Sequence, residues 1–115
     1  MKVLSDSSPL ISLAEIGRLE LLPQLYVKIA FTPQVYSEVV VAGDGLAGAL
    51  QVARASWIEV REVSGVIVPP KGKWTFGRGE LTTIELAKQM NADLTLIDDF
   101  AARRLAEREG LTVFG

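Results

Sequence analysis

Apolar runs too short to be helices alternate along this chain with stretches of helical periodicity, and most junctions carry a helix start or stop signal. Residues 2–5 read as a short strand that ends at Asp6. In Ser7-Ser8-Pro9, Ser8 suits a helix cap and Pro9 the first helical position. Leu10, Ile11, Leu13, Ala14 and Ile16 then recur at helical spacing, and Pro23 ends or kinks that segment. Residues 27–31 form a second strand, Thr32-Pro33 repeats the cap-then-proline signal, and a helix over 33–42 breaks at Gly43-Asp44-Gly45. A further helix over 46–56 and a strand over 57–63 follow. After an irregular stretch, Gly79-Glu80 opens a helix to Met90, residues 93–97 form a strand, Asp98-Asp99 starts a helix to Glu109 that Gly110 caps, and residues 111–114 close as a strand. The order βαβααβαβαβ specifies an α/β fold: a central parallel sheet of about five strands with helices on both faces, three layers in a single domain over 1–115.

The chain has neither Cys nor His. That excludes disulfides, thiolate zinc sites, a Ser–His–Asp triad and an imidazole base. Catalysis here has to run on carboxylates, hydroxyls, amines, guanidinium groups or a bound ion. With 12 cations and 14 acids the net charge is −2, so no strongly basic balance marks a nucleic-acid binder. An acid at Asp6 comes too early for a signal peptide, and no apolar run is long enough to span a membrane, which leads us to expect a soluble cytoplasmic protein.

In parallel sheets the ligand crevice lies beyond the carboxyl ends of the strands. Asp6 follows the first strand and Asp98 the fourth, with Asp99 beside it. On a 100° wheel Glu38 falls beside Val35, Val39 and Ala42, on the apolar side, and Glu80 falls in line with Ile84 and Ala87 while Glu85 points outward. Taken singly, each acid has a plainer reading. Asp6 suits a turn, Asp98 or Asp99 a helix cap, Glu38 the edge of its stripe, and Glu80 the positive end of its helix. Together, two strand-end aspartates and two inward glutamates would meet in one crevice. Clustered carboxylates repel unless cations neutralise them, and oxygen-only ligands favour Mg²⁺ or Mn²⁺. Other phosphate motifs fail: Gly77-Arg78-Gly79-Glu80 is too short for a dinucleotide loop, and Trp74 after Gly72-Lys73 breaks a P-loop.

Four stretches in register resemble the PIN-domain family. They are 4–13 with Asp6, Thr32-Pro33…Val35…Glu38, Gly79-Glu80 with Ile84…Leu86-Ala87, and Leu96-Ile97-Asp98-Asp99…Ala102-Arg103…Ala106…Gly110. The likeness is nearest to the small prokaryotic branch related to VapC-type toxins. It implies a PIN-like fold and a metal-dependent ribonuclease, with Asp6, Glu38, Glu80 and Asp98 as the acidic catalytic and metal-holding set and Asp99 as an extra ligand. The family's third acid is usually Asp, so Glu80 is a departure. Family members commonly continue past the last strand with another helix, and this chain stops at Gly115; we expect a PIN-like domain lacking that helix.

The enzyme reading needs no histidine: the carboxylates hold divalent cations that lower the pKa of a water, and that water attacks an RNA phosphodiester. Residues 61–79 are the expected RNA-holding segment. Their cations Arg61, Lys71, Lys73 and Arg78 outnumber the single acid Glu62, and Trp74 and Phe76 offer stacking surfaces. Lys71, Lys73, Trp74 and Arg78 are the candidates, against the plainer reading that Trp74 packs on the core. The alternative to an enzyme is a catalytically weak or inactive PIN-like regulatory protein that binds RNA or a partner. A third reading is a nucleotide- or small-molecule-binding α/β domain that shares only the topology. The toxin-like relatives imply an antitoxin partner, and the apolar Leu10, Leu13, Leu21 and Leu22 suggest a homodimer face.

Overall fold

Strand β1 (Val3–Ser5) runs parallel to β2 (Ile29–Phe31) on one side and to β4 (Leu94–Leu96) on the other. The edge strands β3 (Ile58–Val60) and β5 (Val113–Phe114) complete an all-parallel sheet in the order β3-β2-β1-β4-β5. The computed structural model describes residues 1–46, 48–72 and 75–114. Helices α1 (Ser7–Glu15), α2 (Leu21–Leu25), α3 (Pro33–Tyr36), α4 (Ala49–Arg54), α5 (Arg78–Met90) and α6 (Phe100–Arg108) connect the strands.

Strand alternation sorts the core into two layers. Val3, Ile29, Phe31, Leu94 and Leu96 face one way, against Leu10, Leu22, Val35 and Val52 of α1 to α4. Leu4 and Ala30 face the other, against Leu86 and Ala87 of α5, while Ile97 and Val113 pack with Ala102, Leu105 and Ala106 of α6. All three residues of β1, β2 and β4 are buried, as a sheet covered on both faces requires. The three-layer α/β/α architecture read from the sequence is the one observed.

Several boundaries differ, each for a local reason. Helix α1 is capped by Asp6 rather than Ser8, so Pro9 sits at its third position. Any of the first four residues tolerates proline, because their N–H groups have no intrahelical partner. Pro23 does not end that helix: α1 stops at Glu15, Gly17 turns at φ +71°, and Pro23 occupies the first turn of the separate helix α2. The segment over 33–42 is also not one α-helix. After α3 it continues as a π-helical turn over Ser37–Val41, closed by the Ala42 N–H on the Ser37 carbonyl at 2.8 Å. The extra residue in that turn shifts the wheel, so Glu38 is exposed while Val39 is buried. Of the four leucines expected at a dimer face, Leu10 and Leu22 are core residues. Lys73 and Trp74 lie outside the described residues.

A hydroxyl relay fixes the start of α3 against the start of α5. The Val35 N–H donates to Thr32 Oγ1 at 3.2 Å, and Thr82 Oγ1 donates to the Arg78 carbonyl at 2.7 Å. Thr82 has one hydroxyl proton, so in the 2.9 Å contact between the two threonines Thr32 is the donor. Thr32 is only 1% exposed, and removing its hydroxyl strands donors and acceptors that water cannot reach. Thr32→Val therefore costs about 2 kcal/mol of stability, through the lost cap and the orphaned partners, measurable as a shifted midpoint in urea unfolding.

Candidate metal centre and its acids

Strand order reverses at β1: the chain winds outward through β2 and β3, then returns to β4 on the other side. Such a switch point opens a crevice at the carboxyl ends of the two strands. Asp6 leaves β1 there, its N–H bonded to the Leu96 carbonyl at 3.0 Å, and Asp98 and Asp99 leave β4 after Ile97. Asp6 is 2% exposed. One of its oxygens accepts the Ser7 N–H at 2.8 Å.

The other acids arrive on helices. Glu38 lies on the π turn, and its Oε2 accepts the Ser7 hydroxyl at 3.3 Å. Its other oxygen lies against Gly79, where a Cβ would occupy the carboxylate's place. A glycine in the first turn of α5 thus admits the acid to the helix backbone. Glu80 Oε1 accepts the Gly77 N–H at 2.9 Å, the acidic half of a capping box whose other half glycine, having no side chain, cannot supply. Asp99 caps α6, its Oδ2 accepting the Ala102 N–H at 2.9 Å. The plainer cap readings of Glu80 and Asp99 are thus realised, and each acid also takes part in the cluster.

Electrostatics ties the five together. Burial pushes the Asp6 carboxyl up to about 6; the Ser7 N–H works against this, and the charges of Glu80, Glu38 and Asp98 add to it. Burial likewise raises Glu80, opposed by the Gly77 N–H and reinforced by Asp99 and Glu38. Among the described residues, the ion pairs join Arg61 to Glu59 and Lys88 to Glu85 and Glu109, so none involves the five acids.

Among the described residues, no three acids stand as a finished ligand shell around one point. Mg²⁺ does not require that, since it keeps several waters and takes only one or two carboxylates directly. A hard, all-oxygen donor set with no ion pair to a described lysine or arginine therefore fits such an ion.

A family model described as a PIN domain matches residues 2–115. The chain belongs to the PIN-domain family. This is a nuclease-type fold, and PIN domains typically use divalent metals. No curated protein matches the chain.

Within this PIN domain, Lys71 and Arg78 are exposed, Arg78 as the first residue of α5. Sequence reasoning passed over two residues near the acids. Ser7 bridges Asp6 and Glu38, giving its N–H to one and its hydroxyl to the other. Phe100 follows Asp99 and is 67% exposed, with the Arg104 guanidinium 5.8 Å from its ring centroid. Its signal was available: an aromatic directly after the acidic pair, with a cation one helical turn on. No helix among the described residues is long and apolar enough to cross a membrane.

A carboxyl whose pKa rises on folding binds more protons in the folded state, so its contribution to stability falls as pH rises from about 4 to about 6. At pH 7 in EDTA, Asp6 therefore carries a penalty of roughly 3 kcal/mol. Asp6→Asn removes it and raises the melting temperature at pH 7 but not at pH 4. Melting curves of both proteins at the two pH values check this, and an equal shift at both would refute it.

Proposed function

We propose that this PIN domain is a divalent-metal-dependent ribonuclease that hydrolyses RNA phosphodiesters. The observation that carries the reading is five carboxylates at one switch point, none of them ion-paired with a described lysine or arginine. Bound there, Mg²⁺ or Mn²⁺ supplies an acidified water and offsets phosphate charge. Asp6 is the buried holding residue. Ser7 keeps Glu38 turned toward the crevice, and Glu80, Asp98 and Asp99 complete the acidic wall. Because Asp6 is held by the Ser7 N–H and sunk behind β1, its carboxylate costs little further ordering when an ion arrives. Lys71, Arg78 and the exposed Phe100 supply phosphate and base contacts around it.

The same fold supports a second reading, a toxin-like or regulatory protein that works through a protein partner. Its support is an apolar groove of about 320 Å³ lined by Pro9, Leu13, Leu22, Leu25 and Phe114, which reaches Asp98. Leu25 and Phe114 are 70% and 58% exposed at its rim. In this reading an antitoxin or a second copy of the chain covers that rim beside the acids.

The two readings part in a cleavage assay on single-stranded RNA with Mg²⁺ or Mn²⁺. The ribonuclease cuts, EDTA stops it, added Mn²⁺ restores it, and Asp6→Asn or Asp98→Asn each lowers the rate at least about a hundredfold. Cleavage indifferent to both substitutions would sink the assignment. Metal binding by calorimetry without cleavage of any RNA would favour the partner-binding reading.

A further inference from the structure

Beside the acids, on the same edge of the sheet, opens a groove of about 460 Å³. One wall is the start of α3 with Gln34, another the segment after β3 with Glu62, Val66 and Ile67, and a third the start of α5 with Arg78 and Thr82. Thr82 is already engaged by Thr32 and by the Arg78 carbonyl. The side chains of Gln34, Glu62 and Arg78 hold no hydrogen bond or ion pair with any described residue. Glu62 and Arg78 thus line one cavity from different elements without neutralising each other. Val66 and Ile67 give the cavity an apolar side.

The chemistry of this lining selects a ligand. A free carboxylate asks for two adjacent N–H donors, and a free guanidinium asks for two adjacent acceptors. Among the nucleobases guanine alone offers both, with N1–H and the N2 amine on one edge and O6 and N7 on another. Its flat ring suits an apolar side. The position is also right for a base next to a cut: Arg78 stands two residues before Glu80, and Gln34 one helical turn before Glu38.

Resting on the ribonuclease reading, we propose that this groove receives a guanine base of single-stranded RNA flanking the scissile phosphate. Glu62 accepts from N1–H and the N2 amine, Arg78 donates to O6 and N7, and the domain prefers guanine at that position.

The test measures binding in EDTA, so that cleavage plays no part. Fluorescence anisotropy compares a labelled oligouridylate with the same oligomer carrying one guanosine. The guanosine tightens binding about tenfold. Inosine in its place, which lacks the N2 amine, loses most of that gain, and 7-deazaguanosine, which lacks N7, loses part of it. Glu62→Gln and Arg78→Lys, which keeps the charge but not the two-pronged donor, each close the gap between the two oligomers. Both residues are exposed, so the variants fold, and circular dichroism verifies it. Equal or undetectable affinity for the two wild-type oligomer complexes overturns the proposal whatever the cleavage assay shows. A guanosine preference without cleavage under any metal would instead keep this site and sink the nuclease.

Discussion

A buried carboxylate at the crevice, with four more acids around it, is the constraint that the rest of this structure answers to. Five acids meet at the reversal of strand order, and among the described residues no lysine or arginine is paired with them. Unrelieved, such a cluster opposes the fold that creates it. The relief that the protein provides is backbone. Asp6, Glu80 and Asp99 each spend one oxygen on an N–H at the start of α1, α5 or α6. Those helix starts carry partial positive charge. Parallel topology sends every helix that follows a strand off the same edge of the sheet, so the helix starts and the acids gather there for one geometric reason. Backbone dipoles offset only part of the cost: Asp6 and Glu80 stay raised, first by burial and then by the neighbouring acids. A divalent cation, bound as proposed above, would offset the remainder.

Accommodation of Glu38 depends on two departures from regular helix. An uninterrupted α-helix over 33–42 would turn residue 38 with the period of its apolar neighbours. The π turn separates them, leaving Val39 in the core and Glu38 at the surface of the crevice. Its carboxylate then meets α5 at Gly79, the one place in that first turn with no side chain to exclude it. The two features are coupled: a side chain at position 79 would leave the π turn presenting an acid with nowhere to go. The Thr32–Thr82 relay holds the same two helix starts together from the side of the neighbouring groove.

The sheet and its layers were legible because each strand is a short apolar run that closes on a helix signal. Asp6, Asp98 and Asp99 were legible for the same reason, since a residue just past a parallel strand lies at the crevice whatever the details of packing. Glu38 was singled out for the wrong reason. The wheel made it buried, while the structure brings it to the crevice by breaking the wheel's period. Capping by Asp6 instead of Ser8 was hidden because Pro9 fits several first-turn positions equally well. Ser7, with its N–H on one acid and its hydroxyl on another, shows no pattern of its own in one dimension, because its role depends on a contact with a residue on another helix.

Glu80 stands where the family resemblance leads one to expect an aspartate, and its length lets it serve two neighbours. At the third position of α5, its longer side chain can curl back to the Gly77 N–H and still lie close to Asp99. A shorter aspartate there would trade one contact against the other. Its tie to Gly77 also orders the start of α5, which carries Arg78 at the lip of the neighbouring groove. An acid of the cluster and a cation of the groove are therefore set by the same helical turn, so under the proposed function the backbone of α5 would help to fix the spacing between phosphate and base.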